Sequence, residues 1–276
     1  MGFREKLEQI HSFLIYPKVV KLTAISATIV WISTILFGLL IAQLDPAGPS
    51  SDPPGFNILI NYISDLGNQD LTPMPIILDF GMMETTILMI PPAFYLQKVL
   101  KGNRSKVSRT IMSYLTLICM LIAMIGLFLT GVISEDVGEK LDSILGPPLP
   151  EYFWHDIVAD FAFTFFMISS ILTASQFVVY PNILKNQIGL KRTITARVLL
   201  AINSWVLTPM FFGFFYTVPY LWYTDAFWTF LPFWQWAPFW EWLLMFSLSA
   251  WVLVVLNLII LKSLKKDLAL KQIITS

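Results

Sequence analysis

The sequence predicts an all-α polytopic membrane protein, six transmembrane helices in one bundle, and three observations predict it. Hydrophobic residues make up 56% of the 276 and charged residues only 13%, against roughly a quarter charged in soluble domains. Six apolar runs reach the length of about 20 residues that a helix needs to cross a hydrocarbon core. The 18 Lys and Arg residues fall, with the exception of Lys140, in alternate connections between those runs, as the positive-inside rule requires.

Residues 1–19 read as a cytoplasmic N-terminal segment with Arg4, Lys6 and Lys18. The first apolar run, 20–43, has no small-residue cleavage site after it, so it is expected to stay as an anchor. The second, 74–99, is opened by Pro73 and Pro75, residues suited to a first helical turn. Pro91 and Pro92 are expected to kink its far half. The third, fourth and fifth runs cover 109–133, 153–180 and 197–222, the fifth interrupted by Pro209 and Pro219, and the sixth covers 240–262. Residues 20–262 thus form the transmembrane domain and 263–276 a basic cytoplasmic tail. No internal repeat is visible, which weighs against a transporter made of two similar halves.

With the N-terminus inside, the groups Lys98 to Arg109 and Lys185 to Arg197 occupy inner loops, and both termini are cytoplasmic. The acidic residues show the opposite bias: of 18, only Glu5, Glu8 and Asp267 lie inside. The sequon at Asn103 falls on the inner side, where it would not be glycosylated. The basic residues sit in short juxtamembrane loops explained by topology, which leaves no basis for nucleic-acid binding. A single cysteine, Cys119, excludes a disulfide framework and a thiolate metal site.

Following the helices through the bilayer at about 1.5 Å per residue brings several polar residues to the outer half. Asp65 lies in the first outer loop, Asp79 one turn into the second helix and Glu84 near mid-depth. Ser134, Glu135 and Asp136 end the third helix, and Glu241 opens the sixth. Ionisable groups at such depth are expected to face a cavity or the bundle interior. Glu84 is the first candidate; its bland alternative is a protonated acid that packs helices together. Asp79 suits an ordinary carboxylate at a helix N-terminus.

The stretch "HDIVAD" puts Asp156 and Asp160 on one helical face with His155 beside them. Such a trio can hold a divalent metal, relay protons or act in general acid–base catalysis; its alternative is a helix start with a histidine at the water boundary. The only other histidine, His11, is on the opposite side, so a multi-histidine zinc site is not expected. No Lys or Arg lies in the outer half of any span. Carboxylates buried there must be protonated, hydrated or paired with a cation, a metal ion or a lipid ammonium.

The last outer loop, "WYTDAFWTFLPFWQWAPFWEW", holds six of the ten tryptophans, Trp240 among them. An interfacial aromatic belt explains it, and an aromatic wall beside carboxylates also suits an ammonium ligand. In "NYISDLGNQD", Leu59, Ile63 and Leu66 recur at helical spacing, which predicts a short interfacial helix in the first outer loop, ended by Gly67.

"ISDLG", the Pro-led "LTPMPIILDFGMMETT", "GVISED", "WHD" and a later "EW" together resemble the DRAM/Frag/Sfk-type six-helix membrane family, and look closest to its uncharacterised prokaryotic relatives. The resemblance spans about 20–262. It implies roles for Ser64, Asp65, Gly67, His155 and Glu241, a prokaryotic cell-membrane location, and lipid handling, the association of the eukaryotic branch. The insert "DPAGPSSDPPG" and the Trp-rich last loop depart from the family pattern.

The first expectation is a lipid-binding or lipid-modifying protein with an outer-leaflet pocket in which Asp65, Asp79, Glu84, Glu241 and Trp240 bind ligand. In an enzyme of this kind, a lipid-directed hydrolase or acyltransferase, His155 is the base, Asp160 orients it, Ser64 is the nucleophile, and a divalent metal held by His155, Asp156 and Asp160 is an optional cofactor. Ser64 lacks the "GxSxG" elbow that would make its role specific. Membrane lipids are the expected partners. A cation- or proton-coupled transporter and an accessory subunit bound to another membrane protein stand as alternatives.

Overall fold

In a computed structural model of the chain, residues 2–44, 56, 58, 61–102, 106–148, 153–183, 190–222, 237–262 and 264 are described, and no strand occurs among them. The insert at 45–55, the sequon at Asn103, loop residues 223–236 and the basic tail lie outside the described residues. Among the described residues, six helices are long and apolar enough to cross a membrane.

The first four spans are single helices: α2, Pro17–Leu44; α3, Ile76–Lys101; α4, Val107–Val132; and α6, Trp154–Val179. The fifth is composite. Helix α7, Leu190–Ile202, leads into a π turn at Asn203–Leu207 and then α8, Thr208–Trp222. The sixth is α9, Ala237–Val254, extended by a second π turn at Val255–Ile260.

Proline explains the first π turn. Pro209 has no N–H to donate, and its ring crowds the carbonyl of Trp205 four residues back. A wider turn immediately ahead relieves that crowding. Side chains then support the turn: Asn203 donates to the Ser247 carbonyl at 3.0 Å, and Thr208 and Ser247 share a 2.6 Å hydroxyl contact. Pro91 and Pro92, by contrast, lie inside the unbroken α3, both buried.

Two further helices flank the spans. Helix α1, Phe3–Leu14, presents Phe3, Leu7, Ile10 and Phe13 as exposed residues. It packs against α3 and α2, with His11 edge-on to Phe94 at 6.1 Å. An exposed apolar stripe beside a membrane span is the pattern of a helix lying on a bilayer interface. Helix α5, Glu135–Leu145, follows α4; acidic Glu135 and Asp136 occupy its first turn, and Gly146 ends it at φ +78°. The expected interfacial helix near Gly67 is a single 3₁₀ turn, Ser64–Gly67, in which Asp65, Leu66 and Gly67 are buried.

Helices α2, α3, α4 and α6 pack in sequence order; the α4–α6 contact is the most extensive. Gly126 makes it close: a Cβ there would sit 2.7 Å from the Ala162 backbone nitrogen. Small residues let helices approach in this way where lipid supplies no hydrophobic drive for association. Helix α9 touches α6, and its π turn touches α2 and α3, which closes a ring of five spans. The fifth span packs outside that ring, chiefly on α9. At the end bearing Lys98, Lys101 and Arg109 the ring is filled by Trp251, Tyr95, Phe177, Leu96, Leu100 and Met120, all fully buried. At the end bearing the 3₁₀ turn and α5 it is hollow.

Candidate functional site

A cavity of about 110 Å³ lies inside the ring. Ala27, Thr28 and Trp31 of α2, Leu78 to Met89 of α3, Met124 and Leu127 of α4, Ala159, Ala162 and Phe163 of α6, and Met245 to Leu256 of α9 form its walls. These walls are almost wholly apolar. Hydroxyl side chains of Thr28, Thr85, Thr86, Thr130 and Ser249 are set into the walls, and Ser64, His155 and Glu241 line the acidic end. From Glu241 to Leu256 the α9 wall runs about 22 Å at helical rise.

Each rim residue is held by a nameable contact. His155 begins α6 and is 6% exposed. Its Nδ1 lies 2.7 Å from the Ile133 carbonyl, while its Nε2 is buried with no hydrogen-bond partner. A carbonyl only accepts, so Nδ1 carries the proton, and in the neutral ring Nε2 holds the lone pair. Gly138 of α5 packs on the start of α6: a Cβ there would sit 3.0 Å from the His155 Cβ and 3.4 Å from its backbone nitrogen.

Glu241, 5% exposed, opens α9 and accepts the Ile63 backbone N–H at 2.8 Å. Its neighbour Trp242 donates from Nε1 to the Asn61 carbonyl at 3.0 Å. Asp65 turns back on its own segment, accepting from Asn61 Nδ2 at 3.1 Å and from the Tyr62 N–H at 2.8 Å. The Gln69 N–H is held by both Asp136 oxygens at 3.2 and 3.3 Å. The polar stretch from Asn61 to Asp70 is therefore a strap tied to α9 at one end and to α5 at the other.

The strap also brings two carboxyl groups together. Asp65 and Glu135 lie within hydrogen-bonding reach of each other; burial raises both, Asp65 to about 8 with Glu135 adding to its rise, while His155 opposes the rise at Glu135. Two like charges so close cannot both ionise cheaply, so the pair retains a proton.

Other expected site residues lie elsewhere. Glu84 is exposed on the outer surface of α3 and does not line the cavity. The stripe Ile76, Phe80, Glu84, Ile87 is the one face of α3 that α2 and α4 leave uncovered at this depth; depth alone gave no azimuth. Asp79 is half-buried and packs over Gly67, where a Cβ would meet its Oδ1 at 2.9 Å. Trp240 stacks on Phe214 of α8, centroids 4.5 Å apart, away from the cavity.

The proposed metal trio is divided. His155 faces the Ile133 carbonyl and the cavity, Asp156 accepts the Phe153 N–H at 3.3 Å, and Asp160 accepts a hydrogen bond from Tyr216. Among the described residues no three His, Cys, Asp or Glu side chains gather as metal ligands. Four-residue spacing puts Asp156 and Asp160 on one face, but each is taken by a local donor. The group that orients the imidazole is a backbone carbonyl, not Asp160, and no hydrogen bond joins Ser64 to His155 among the described residues.

The reading of the sequence missed the pairing of Asp65 with Glu135, the buried Asn68 beside them, and the link from Trp31 Nε1 to Ser249 Oγ at 2.9 Å across the α2–α9 seam. A signal existed for α5: acids in the first turn, Val137, Leu141 and Ile144 at helical spacing, and a glycine stop.

No curated protein and no solved structure matches this chain. Residues 49–257 match the family described as "Protein of unknown function (DUF998)", a segment that takes in the strap, α5, His155 and Glu241. The chain belongs to the DUF998 family.

Proposed function

We propose that this membrane protein binds a lipid, with one hydrocarbon chain in the ring cavity and the polar head at Ser64, His155 and Glu241. The observation that carries this reading is a largely apolar cavity lined at one end by His155, whose buried Nε2 has no hydrogen-bond partner. Apolar cavities stay dry and take apolar guests. A pocket that is mostly apolar with a few convergent polar groups is the ordinary form of a ligand site.

The edge between α2 and α9 supports entry from the side. Thr28, Trp31, Ser249 and Val252 line it and are half-buried, whereas the opposite wall on α3, Leu78, Met82 and Met89, is buried. The charge bias of the sequence supports an orientation with the acidic end on the outer side of a cell membrane and both termini cytoplasmic. The resemblance to the DRAM/Frag/Sfk-type family supports the same reading, since Ser64 and Asp65 lie on the strap and Ser64, His155 and Glu241 line the cavity.

Binding comes before catalysis in this proposal. Hydrolysis or acyl transfer at the head would use Nε2 as the base, but Ser64 is not hydrogen-bonded to it. Transport is disfavoured because large side chains fill the basic end of the ring. The test is native mass spectrometry of the protein in mild detergent, wild type beside Ala159→Trp, which fills the cavity one turn below His155. A lipid adduct on the wild type that is lost from a folded Ala159→Trp supports the reading. An adduct retained by both variants overturns it.

A further inference from the structure

The tautomer of His155 restricts the head of any lipid that the cavity takes. We infer, on the footing of the lipid-binding reading above, that the head carries a hydrogen-bond donor, a hydroxyl or an ammonium, and that anionic heads are excluded. The ligand class is a single-chain alcohol or amine amphiphile.

Two independent observations meet here. The first is the imidazole: Nδ1 is committed to the Ile133 carbonyl at 2.7 Å, and the buried Nε2 has no partner. A buried acceptor left unpaired costs free energy that a donor on the ligand recovers. A carboxylate or phosphate brings only acceptors to that position.

The second is the charge around the rim. Asp65 and Glu135 of the strap pair, Asp156 on the helix that carries His155, and Glu241 across the cavity are packed about this end, with Asp79 and Asp136 against the strap and Asp160 further along α6. No Lys or Arg lies in this half of any span, and Lys140 of α5 is exposed. An anion would thus enter a low-dielectric site with carboxyl groups on three sides and no counter-charge. An ammonium gains from the same groups, and a hydroxyl is indifferent to them.

Chain-matched probes test the inference. Dodecanol, dodecylamine and dodecanoate share one hydrocarbon chain, and each is titrated into the detergent-solubilised protein at pH 8 while its mass-resolved adduct and the shift in melting temperature are followed. The expected result is saturable binding of the alcohol and the amine, with dodecanoate weaker by about tenfold or more, the effect of one lost hydrogen bond at a buried acceptor. His155→Ala should remove the preference for the alcohol over dodecanoate. Should that variant fail to fold, the ranking of the three probes on the wild type decides by itself.

Equal affinity for all three heads overturns the head-group inference and leaves lipid binding standing. Tightest binding of dodecanoate overturns it as well, by showing that the ring presents a donor. Failure of all three to bind removes the lipid reading together with the inference.

Discussion

The two ends of the ring use the same kinds of apolar residue and pack them to different densities. At the basic end Tyr95, Leu96, Leu100, Met120, Phe177 and Trp251 interdigitate and are fully buried. Toward the acidic end the facing positions are short or flexible: Thr85, Thr86, Ala159 and Ala162, with Met82 and Met245 between them. Side-chain length at positions that face one another across the ring made the hollow, and methionine lets the wall adapt to a guest.

This contrast can be broken most forcibly from the filled end. Trp251→Ala should cost about 3–5 kcal/mol, the usual range for truncating a packed aromatic core residue. Met82→Ala, on the cavity wall, should cost about 2 kcal/mol, the low end of that series, because part of its surface already faces a void. Thermal unfolding of the two variants in one detergent checks the difference. Equal losses would mean that the two ends are packed alike.

Gly126→Val attacks the seam that both ends share. The added side chain meets the Ala162 and Val158 backbones of α6, which cannot yield as a side chain does. The expected loss is about 1–3 kcal/mol, as for overpacked cores, with folding yield and melting temperature as readouts.

A pH titration probes the strap. Asp65 holds its proton more tightly in the folded protein than in the unfolded chain, because burial comes first and Glu135 second among the causes. The folded state then binds more protons than the unfolded state from the ordinary carboxylate pKa of 3.8 upward, so stability falls as pH rises through that window toward the raised value. Below 3.8 both states are protonated and the effect is absent. Asp65→Asn should flatten this dependence, and melting temperatures at pH 5 and pH 8 read it. A wild type that is equally stable at both would count against the shared proton.

The smallest effect is expected at Glu84. Its side chain lies on the outer surface of α3, so Glu84→Gln should change stability by less than about 0.5 kcal/mol and leave lipid adducts unchanged. Loss of the adduct in that variant would place the ligand on the outer face of the bundle instead of in the ring.

Much of this architecture is written locally. Six spans follow from run length, because a hydrocarbon core of fixed thickness sets the helix length, and the observed helices lie within a few residues of the runs, apart from the earlier start of the fifth at Leu190. Helices α1 and α5 were not expected, although the spacing of Phe3, Leu7 and Ile10 and of Val137, Leu141 and Ile144 carries a helical signal for each. His155, Ser64 and Glu241 could be nominated from polarity at a shared depth.

Sequence by itself determined depth, because rise per residue is a property of one helix. Rotation about the helix axis was decided only in the tertiary structure, where neighbours cover some faces and leave others bare. That is why Glu84, well placed in depth, faces outward, and why Asp156 and Asp160 share a helical face yet answer to the Phe153 backbone and to Tyr216. The partner that fixes the His155 tautomer, the Ile133 carbonyl, lies 22 residues away. A backbone carbonyl has no residue-type signature, so no reading of side-chain chemistry along the chain could have found it.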